Sequence, residues 1–190
     1  SFSTSYADNI YTFGVPVIKS EDAGKTWKSI NGGNVHVDHH ALWLNPERDG
    51  HLVLGNDGGV NISYDDGETW YKSNSLPVGQ FYAVNVDMAE PYNVYGGLQD
   101  NGVWYGSHQT DIDDKWEMEG AYPYQELLGG DGMQVQIDTR NNNIVYTGFQ
   151  FGYYYRIDKT TGKRKLIQPK HNFGERPLRF NWQTHIHLSK

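Results

Sequence analysis
Cysteine is absent from the 190 residues, so the chain can build neither a disulfide framework nor a thiolate metal site. Cationic side chains are scarce as well. Sixteen Lys and Arg stand against 23 Asp and Glu, a formal net charge of −7. A phosphate-backbone partner asks for a basic field, so this balance argues against nucleic acid as the ligand. The short basic run Lys163–Lys165 reads as a solvated loop. No run approaches the ~20 apolar residues of a membrane helix. The N-terminal residues carry no basic-plus-apolar signal segment, although the chain is read below as opening within a fold. What the sequence does have is 22 Gly, 14 Tyr and 6 Trp, which is turn-forming and surface-burying material in quantity.

An internal repeat organises that material. Ser20-Glu21-Asp22-Ala23-Gly24-Lys25-Thr26-Trp27 and Ser63-Tyr64-Asp65-Asp66-Gly67-Glu68-Thr69-Trp70 both read S-x-D-x-G-x-T-W, 43 residues apart. The spacing has a mechanical meaning. The Asp (Asp22, Asp65) accepts backbone N–H groups just ahead of it, and the Gly (Gly24, Gly67) supplies a positive φ. Ser20, Ser63, Thr26 and Thr69 bond the remaining backbone groups. Trp27 and Trp70 open the next strand and bury their indoles against a neighbour. The octapeptide is therefore a self-satisfied turn. A calcium loop of EF type needs more carboxylates in register.

Weaker repeats extend the pattern. Asn45, Asp87 and Asp138 each follow a short apolar run, and ten residues after each stands Gly55, Gly97 or Gly148. Asp57-Gly58-Gly59-Val60 recurs as Asp100-Asn101-Gly102-Val103, again 43 residues on. These segments are short, β-branched or aromatic, and bounded by turn residues, so they read as strands. No helical period exceeds two turns. Four antiparallel strands, A to D, per 40-odd residues make a propeller blade. The expectation is an all-β chain over residues 1–190, a single partial β-propeller with octapeptide C–D turns. It comprises the end of a blade at 9–30, full blades at 34–75, 79–119 and 131–168, and the start of another at 182–190, with a strand at Thr184–Leu188. In the second blade Trp116 replaces the octapeptide Trp, and Ala121–Leu128 reads as a long D–A loop. Partial blades at both ends expose apolar faces. The expected partner is therefore the remainder of a longer chain, or a second copy, that completes the propeller.

The octapeptides resemble the Asp-box of bacterial neuraminidase repeat propellers. His36–Trp43, Gly55–Val60, Gly129–Met133 and Arg179–Thr184 are similar to one group among them, the large exported bacterial propellers described as sortilin-like or xyloglucanase-like glycosyl hydrolases. The resemblance spans nearly the whole chain. It implies a secreted, periplasmic or cell-surface setting and an assembly of ten blades or of paired seven-bladed rings. The group has Pro just after the position of Thr184, where this chain has His185. One fold hosts many reactions, so the resemblance does not fix an activity.

Antiparallel connectivity sorts the loops. A–B and C–D turns lie at one end of a blade, B–C turns and D–A loops at the other, beside the start of the innermost strand. That second end carries His36, Asp38, His39, Asp57, Gln99, Asp100, Asn101, Asp131, Gln150 and Arg179. Three chemistries compete there. Glycoside hydrolysis needs two carboxylates about 5–10 Å apart, and Asp38, Asp57, Asp100 and Asp131 are the candidates, with Trp104, Tyr122 and Tyr124 to stack on sugar rings. The opposing reading is that these aspartates cap turns beside glycine. A metal site is the second, weaker option: strand alternation would place His36, Asp38 and His40 on one side. The third is protein or peptide recognition without chemistry. A typical sialidase is excluded, because it clamps a carboxylate with several Arg and only Arg179 is suitably placed; Arg48 and Arg140 fall in A–B turns. No cofactor is called for. The sequence thus points to an exported glycan-active or glycan-binding propeller segment, with a sortilin-like protein-binding propeller as the alternative.

Overall fold
The computed structural model describes residues 8–73, 78–111 and 123–189. They fall into two compact units, one with residues 8–73 and one with residues 78–111 and 123–189. None of the described residues is helical, and every strand pairs antiparallel with its neighbour in sequence.

The first unit holds two sheets. One is three-stranded, β1 (Ile10–Phe13), β2 (Val17–Ser20) and β3 (Lys28–Ser29). The other is a four-stranded meander, β4 (His39–Leu44), β5 (Leu52–Asn56), β6 (Gly59–Ser63) and β7 (Tyr71–Ser73). Strand periodicity decides which side chains meet. Leu52 and Leu54 turn inward onto Tyr11, Val17, Ile30 and Val35, with Leu42 and Leu44 packed beside them.

The two octapeptides close the β2–β3 and β6–β7 turns with the same set of bonds. The Ser20 hydroxyl donates to Asp22 Oδ1 at 2.8 Å and accepts the Gly24 N–H at 2.8 Å. Asp22 also takes the Thr26 N–H and hydroxyl, at 2.8 and 2.7 Å. Ser63, Asp65, Gly67 and Thr69 repeat this pattern. Two successive left-handed residues make the reversal, Ala23 and Gly24 (φ 58° and 89°) and Asp66 and Gly67 (φ 62° and 88°). A Cβ at Gly67 would lie 2.8 Å from Ile30 Cδ1, so glycine is needed there for space as well as for φ. The Thr26 N–H and hydroxyl hold the Asp22 carboxyl down at about 2, and the same donors on Thr69 lower Asp65.

The tryptophans differ. Trp70 is 7% exposed and donates its indole N–H to the Ile30 carbonyl of the preceding sheet at 2.7 Å. Trp27 is 43% exposed and donates to Gly24 within its own turn. The turn therefore closes in the same way whether or not its indole is wedged between sheets.

The second unit has two four-stranded meanders. One is β8 (Phe81–Val86), β9 (Asn93–Leu98), β10 (Gly102–Ser107) and β11 (Gln125–Leu128). The other is β12 (Gln136–Ile137), β13 (Ile144–Phe149), β14 (Tyr153–Asp158) and β15 (Arg164–Leu166). Their shared core includes Tyr95, Val103, Leu128, Val135, Val145 and Ile157. Without an octapeptide, the β14–β15 turn closes on Asp158, which accepts the Thr160 and Thr161 N–H groups ahead of Gly162.

Besides the exposed Trp27 indole, which was expected to be buried, two stretches differ from the sequence expectation. The fourth strand of the first of these sheets is β11, in the stretch expected to be a D–A loop. Leu127 and Leu128 are buried in the core, and that burial holds the segment as a strand although the spacing from Asp87 to Asp138 is longer than the one before it. Trp116 and Tyr122 lie outside the described residues. Thr184–Leu188 forms no strand ladder. Its backbone is bonded by side chains instead: the Tyr154 hydroxyl donates to the Thr184 carbonyl, and Gln134 and Gln136 bond Ile186.

At the turn end of each unit a Lys–Tyr–Asp cluster joins the paired sheets. In the first, Lys19, almost fully buried, bonds Asp66 and Glu21, and the Tyr11 hydroxyl also reaches Asp66. Burial opposes the Lys19 charge, but its two carboxylate partners outweigh that and raise its pKa. In the second, Lys159 donates to the Tyr95 hydroxyl, which donates to buried Asp87 at 2.9 Å. Burial lowers the Lys159 pKa, because its ammonium meets two Tyr rings rather than a carboxylate.

Truncating the wedged indole, Trp70→Ala, should cost about 3–5 kcal/mol, and Trp27→Ala under about 1 kcal/mol. Chemical denaturation of the two variants checks the difference.

Candidate functional site
The expected site residues fall in both units. In the first unit, residues 36–38 lie outside any strand, and Asp38 takes a left-handed φ of 62°. The β4–β5 ladder is irregular between His39 and Ala41. Strict alternation from His36 to His40 therefore fails, and with it the geometric basis of the metal option. His40 Nε2 instead meets Asp57 Oδ1 at 2.7 Å, and His36 Nδ1 meets the Val37 carbonyl at 2.8 Å. No cluster of three metal-ligating side chains exists among the described residues.

His39 is interior rather than a surface contact. It is 5% exposed, its Nε2 meets Asn31 Oδ1 at 3.1 Å, and its Nδ1 is buried without a partner. Asn31 Oδ1 already accepts the Val17 N–H and can only accept, so Nε2 carries the proton. Burial lowers the His39 pKa, with His36 and His40 adding to the effect and Asp38 opposing it.

The second unit brings more of the expected residues together. The loop Gly129–Met133 is a seam between its two sheets. The Gly102 N–H donates to Gly130, the Gly132 N–H to Leu98 and the Met133 N–H to Gly148. The backbones meet so closely that a Cβ on Gly97 would sit 2.0 Å from the Met133 carbonyl oxygen. This seam fixes Asp131, which is 5% exposed. Asp131 Oδ1 accepts the Asp100 N–H at 3.0 Å, and its own N–H donates to Gln150 Oε1 at 3.2 Å. Asp131 is thus a turn cap for the β9–β10 loop, with Asp100 and Gln150 as its partners. In that loop the Asn101 side chain donates to the Gln99 carbonyl, and the Trp104 indole donates to the Asn101 carbonyl at 2.6 Å. Trp104 is therefore held against its own turn.

Two other expected residues lie elsewhere. Tyr124 sits at the opposite end of its sheet, packed over Gly106 near the β10 C-terminus, because the residues after it form strand β11 rather than a loop at the site. Arg179 is exposed, one residue before Phe180, which packs on Gly152.

Three residues the sequence reading did not assign complete the group. The Tyr82 hydroxyl lies 3.5 Å from Asp131 Oδ2 and accepts the Trp182 indole N–H at 3.2 Å. Trp182 is 46% exposed, stands edge-on to Phe151 at 5.1 Å, and accepts the Phe151 N–H on its carbonyl. Beside Tyr82 opens a cleft of about 370 Å³ between β8, residues 133–136 and residues 183–185. Trp182 lies in one of the quoted family-like segments, but no local spacing shows that it reaches Tyr82, one hundred residues away in sequence.

No family model matches the chain, and no curated protein matches it. Solved structures with a related architecture do. A GH74 enzyme of Niastella koreensis is 15% identical, over 88% of this chain and 29% of its own, with a TM-score of 0.35. The GH74 xyloglucanase of Xanthomonas campestris is 10% identical over 87% and 27%, TM-score 0.33. Sqt1 of Saccharomyces cerevisiae is 16% identical over 88% and 48%, TM-score 0.32. The chain thus spans less than a third of the length of the two GH74 structures, and likeness at these scores says nothing of what the chain binds.

Two outcomes follow from the site. The unfolded state has an ordinary imidazole at about 6.5, whereas the His39 pKa is lower in the fold. The stability this contributes is full above the unfolded value of about 6.5 and is lost as pH falls below it. Melting of the first unit should therefore drop between pH 7.5 and 5.5, and His39→Gln should flatten the slope. In the second unit, Asp131→Asn keeps an acceptor for the Asp100 N–H and should leave stability nearly unchanged. Asp131→Ala removes that acceptor and should cost about 1–3 kcal/mol in chemical denaturation.

Proposed function
We propose that this chain is the glycan-binding segment of an exported bacterial propeller protein, acting through the second unit. The observation that carries the reading is the exposed Trp182 indole, braced by Phe151 and bonded to Tyr82, beside a cleft whose lining includes four side-chain amides. A sugar ring has an apolar face that stacks on an exposed aromatic, and hydroxyls that amides bond in both directions. Export is the setting that the sequence resemblance implies.

Binding is favoured over hydrolysis by the engagement of two of the four candidate carboxylates, Asp131 and Asp57. A glycosidase needs one carboxylic acid and one carboxylate free to act on the sugar. Asp131 spends an oxygen on the Asp100 amide and is nearly buried, and Asp57 meets His40.

A glycan array followed by titration calorimetry tests the reading. Wild-type protein should bind saccharides without turnover, and Trp182→Ala should weaken binding at least about tenfold, the loss expected of a stacking aromatic. Turnover that disappears in Asp131→Asn or Asp38→Asn would make the protein a hydrolase. Capture of peptides with no saccharide binding would replace the reading with the sortilin-like one.

A further inference from the structure
We infer that the cleft beside Tyr82 selects uncharged sugar residues and turns acidic sugars away; this rests on the glycan-binding reading above. The cleft walls mix apolar side chains (Ala83, Val84, Met133 and Val135) with uncharged polar ones. Asn85, Gln134, Gln136 and Gln183 bring amides, Tyr82 and Thr184 bring hydroxyls, and no carboxylate, Lys or Arg lines it among the described residues. His185 is the one lining side chain able to take a positive charge.

Three of the amides are oriented by backbone groups. Gln134 Oε1 accepts the Ile186 N–H at 3.3 Å, which leaves the two N–H groups of that amide to donate. Gln136 Nε2 donates to the Ile186 carbonyl at 3.5 Å, which leaves its Oε1 to accept and its second N–H to donate. The Ile186 backbone thus meets two amides, which together still offer donors and an acceptor to the cleft. Asn85 is pinned as well, donating to the Val135 carbonyl at 2.8 Å and accepting the Val86 N–H at 2.9 Å.

A sugar hydroxyl both donates and accepts, so it matches such a pair and recovers in the cleft the bonds it loses from water. A uronic or sialic carboxylate fares differently. It would leave water for a wall with no Lys or Arg to meet it, and the Asp131 carboxylate behind Tyr82 adds repulsion. The volume of about 370 Å³ is at the small end of ligand pockets, which suits the end of a saccharide rather than the middle of a long chain.

The test is titration calorimetry on the intact protein at pH 8, where an ordinary imidazole is neutral. The probes are neutral β-glucan oligosaccharides and oligogalacturonides of matched length. The neutral set should bind at least tenfold tighter than the acidic set, roughly what an unpaired buried polar group costs. Gln134→Ala and Gln136→Ala should each weaken the neutral set about tenfold, with melting temperatures showing that both variants fold. Equal binding of the two sets overturns the selectivity. Neutral binding that survives both amide variants yet is lost in Trp182→Ala also overturns it, while leaving the glycan-binding reading in place. No binding of either set, together with a blank glycan array, overturns both.

Discussion
A four-stranded sheet with apolar residues on its inner face is not stable alone in water, and this constraint governs the structure. Each unit meets it by laying one sheet on another. In the first unit the seam runs through Trp70, whose indole bonds the Ile30 carbonyl of the preceding sheet. In the second it runs through Val135 and Ile137 against Tyr95 and Val103. The octapeptide turns, the loop seams and the cleft all sit on sheets that this burial positions.

The ends of the sheets then divide the work. At the turn end, clusters of Lys19, Tyr11 and Asp66 and of Lys159, Tyr95 and Asp87 lock paired sheets together. The two locks differ in kind. The first is ionic, with carboxylates on the ammonium. The second sets an ammonium on two aromatic rings and leaves Asp87 to the Asn93 and Ala89 amides and the Tyr95 hydroxyl. Burial raises the Tyr95 pKa, and Asp87 beside it raises it further, so the phenol stays a donor. At the loop end, glycine-rich segments bring backbones close enough to fix Asp131, and the aromatic and amide groups gather around it.

Much of this was legible in the sequence because it is local. Ser20, Asp22, Gly24 and Thr26 sit within seven residues and bond one another, so their spacing alone implies the turn. Alternation in Leu52-Val53-Leu54 gives the strand and its inner face. The misreadings have a common source in contacts made far along the chain. Strand β11 depends on burial of Leu127 and Leu128 in a core built largely by other strands. Alternation through His36, Asp38 and His40 breaks because the ladder is irregular at its start. The pairing of Trp182 with Tyr82 joins residues one hundred apart, and no spacing rule reaches that far. Asp131 was visible as an aspartate between glycines, but its role as a cap appears only once the Asp100 amide is seen to face it.

The octapeptide turn closes by its own bonds, and burial between the sheets then holds them together. Native-state hydrogen exchange at the Thr26 and Thr69 amides tests this most directly. Both amides donate to the turn aspartate at 2.8 Å, although Trp27 is half-exposed and Trp70 is buried. The account predicts strong protection at both. Protection at Thr69 alone, with Thr26 exchanging as a free peptide would, contradicts it.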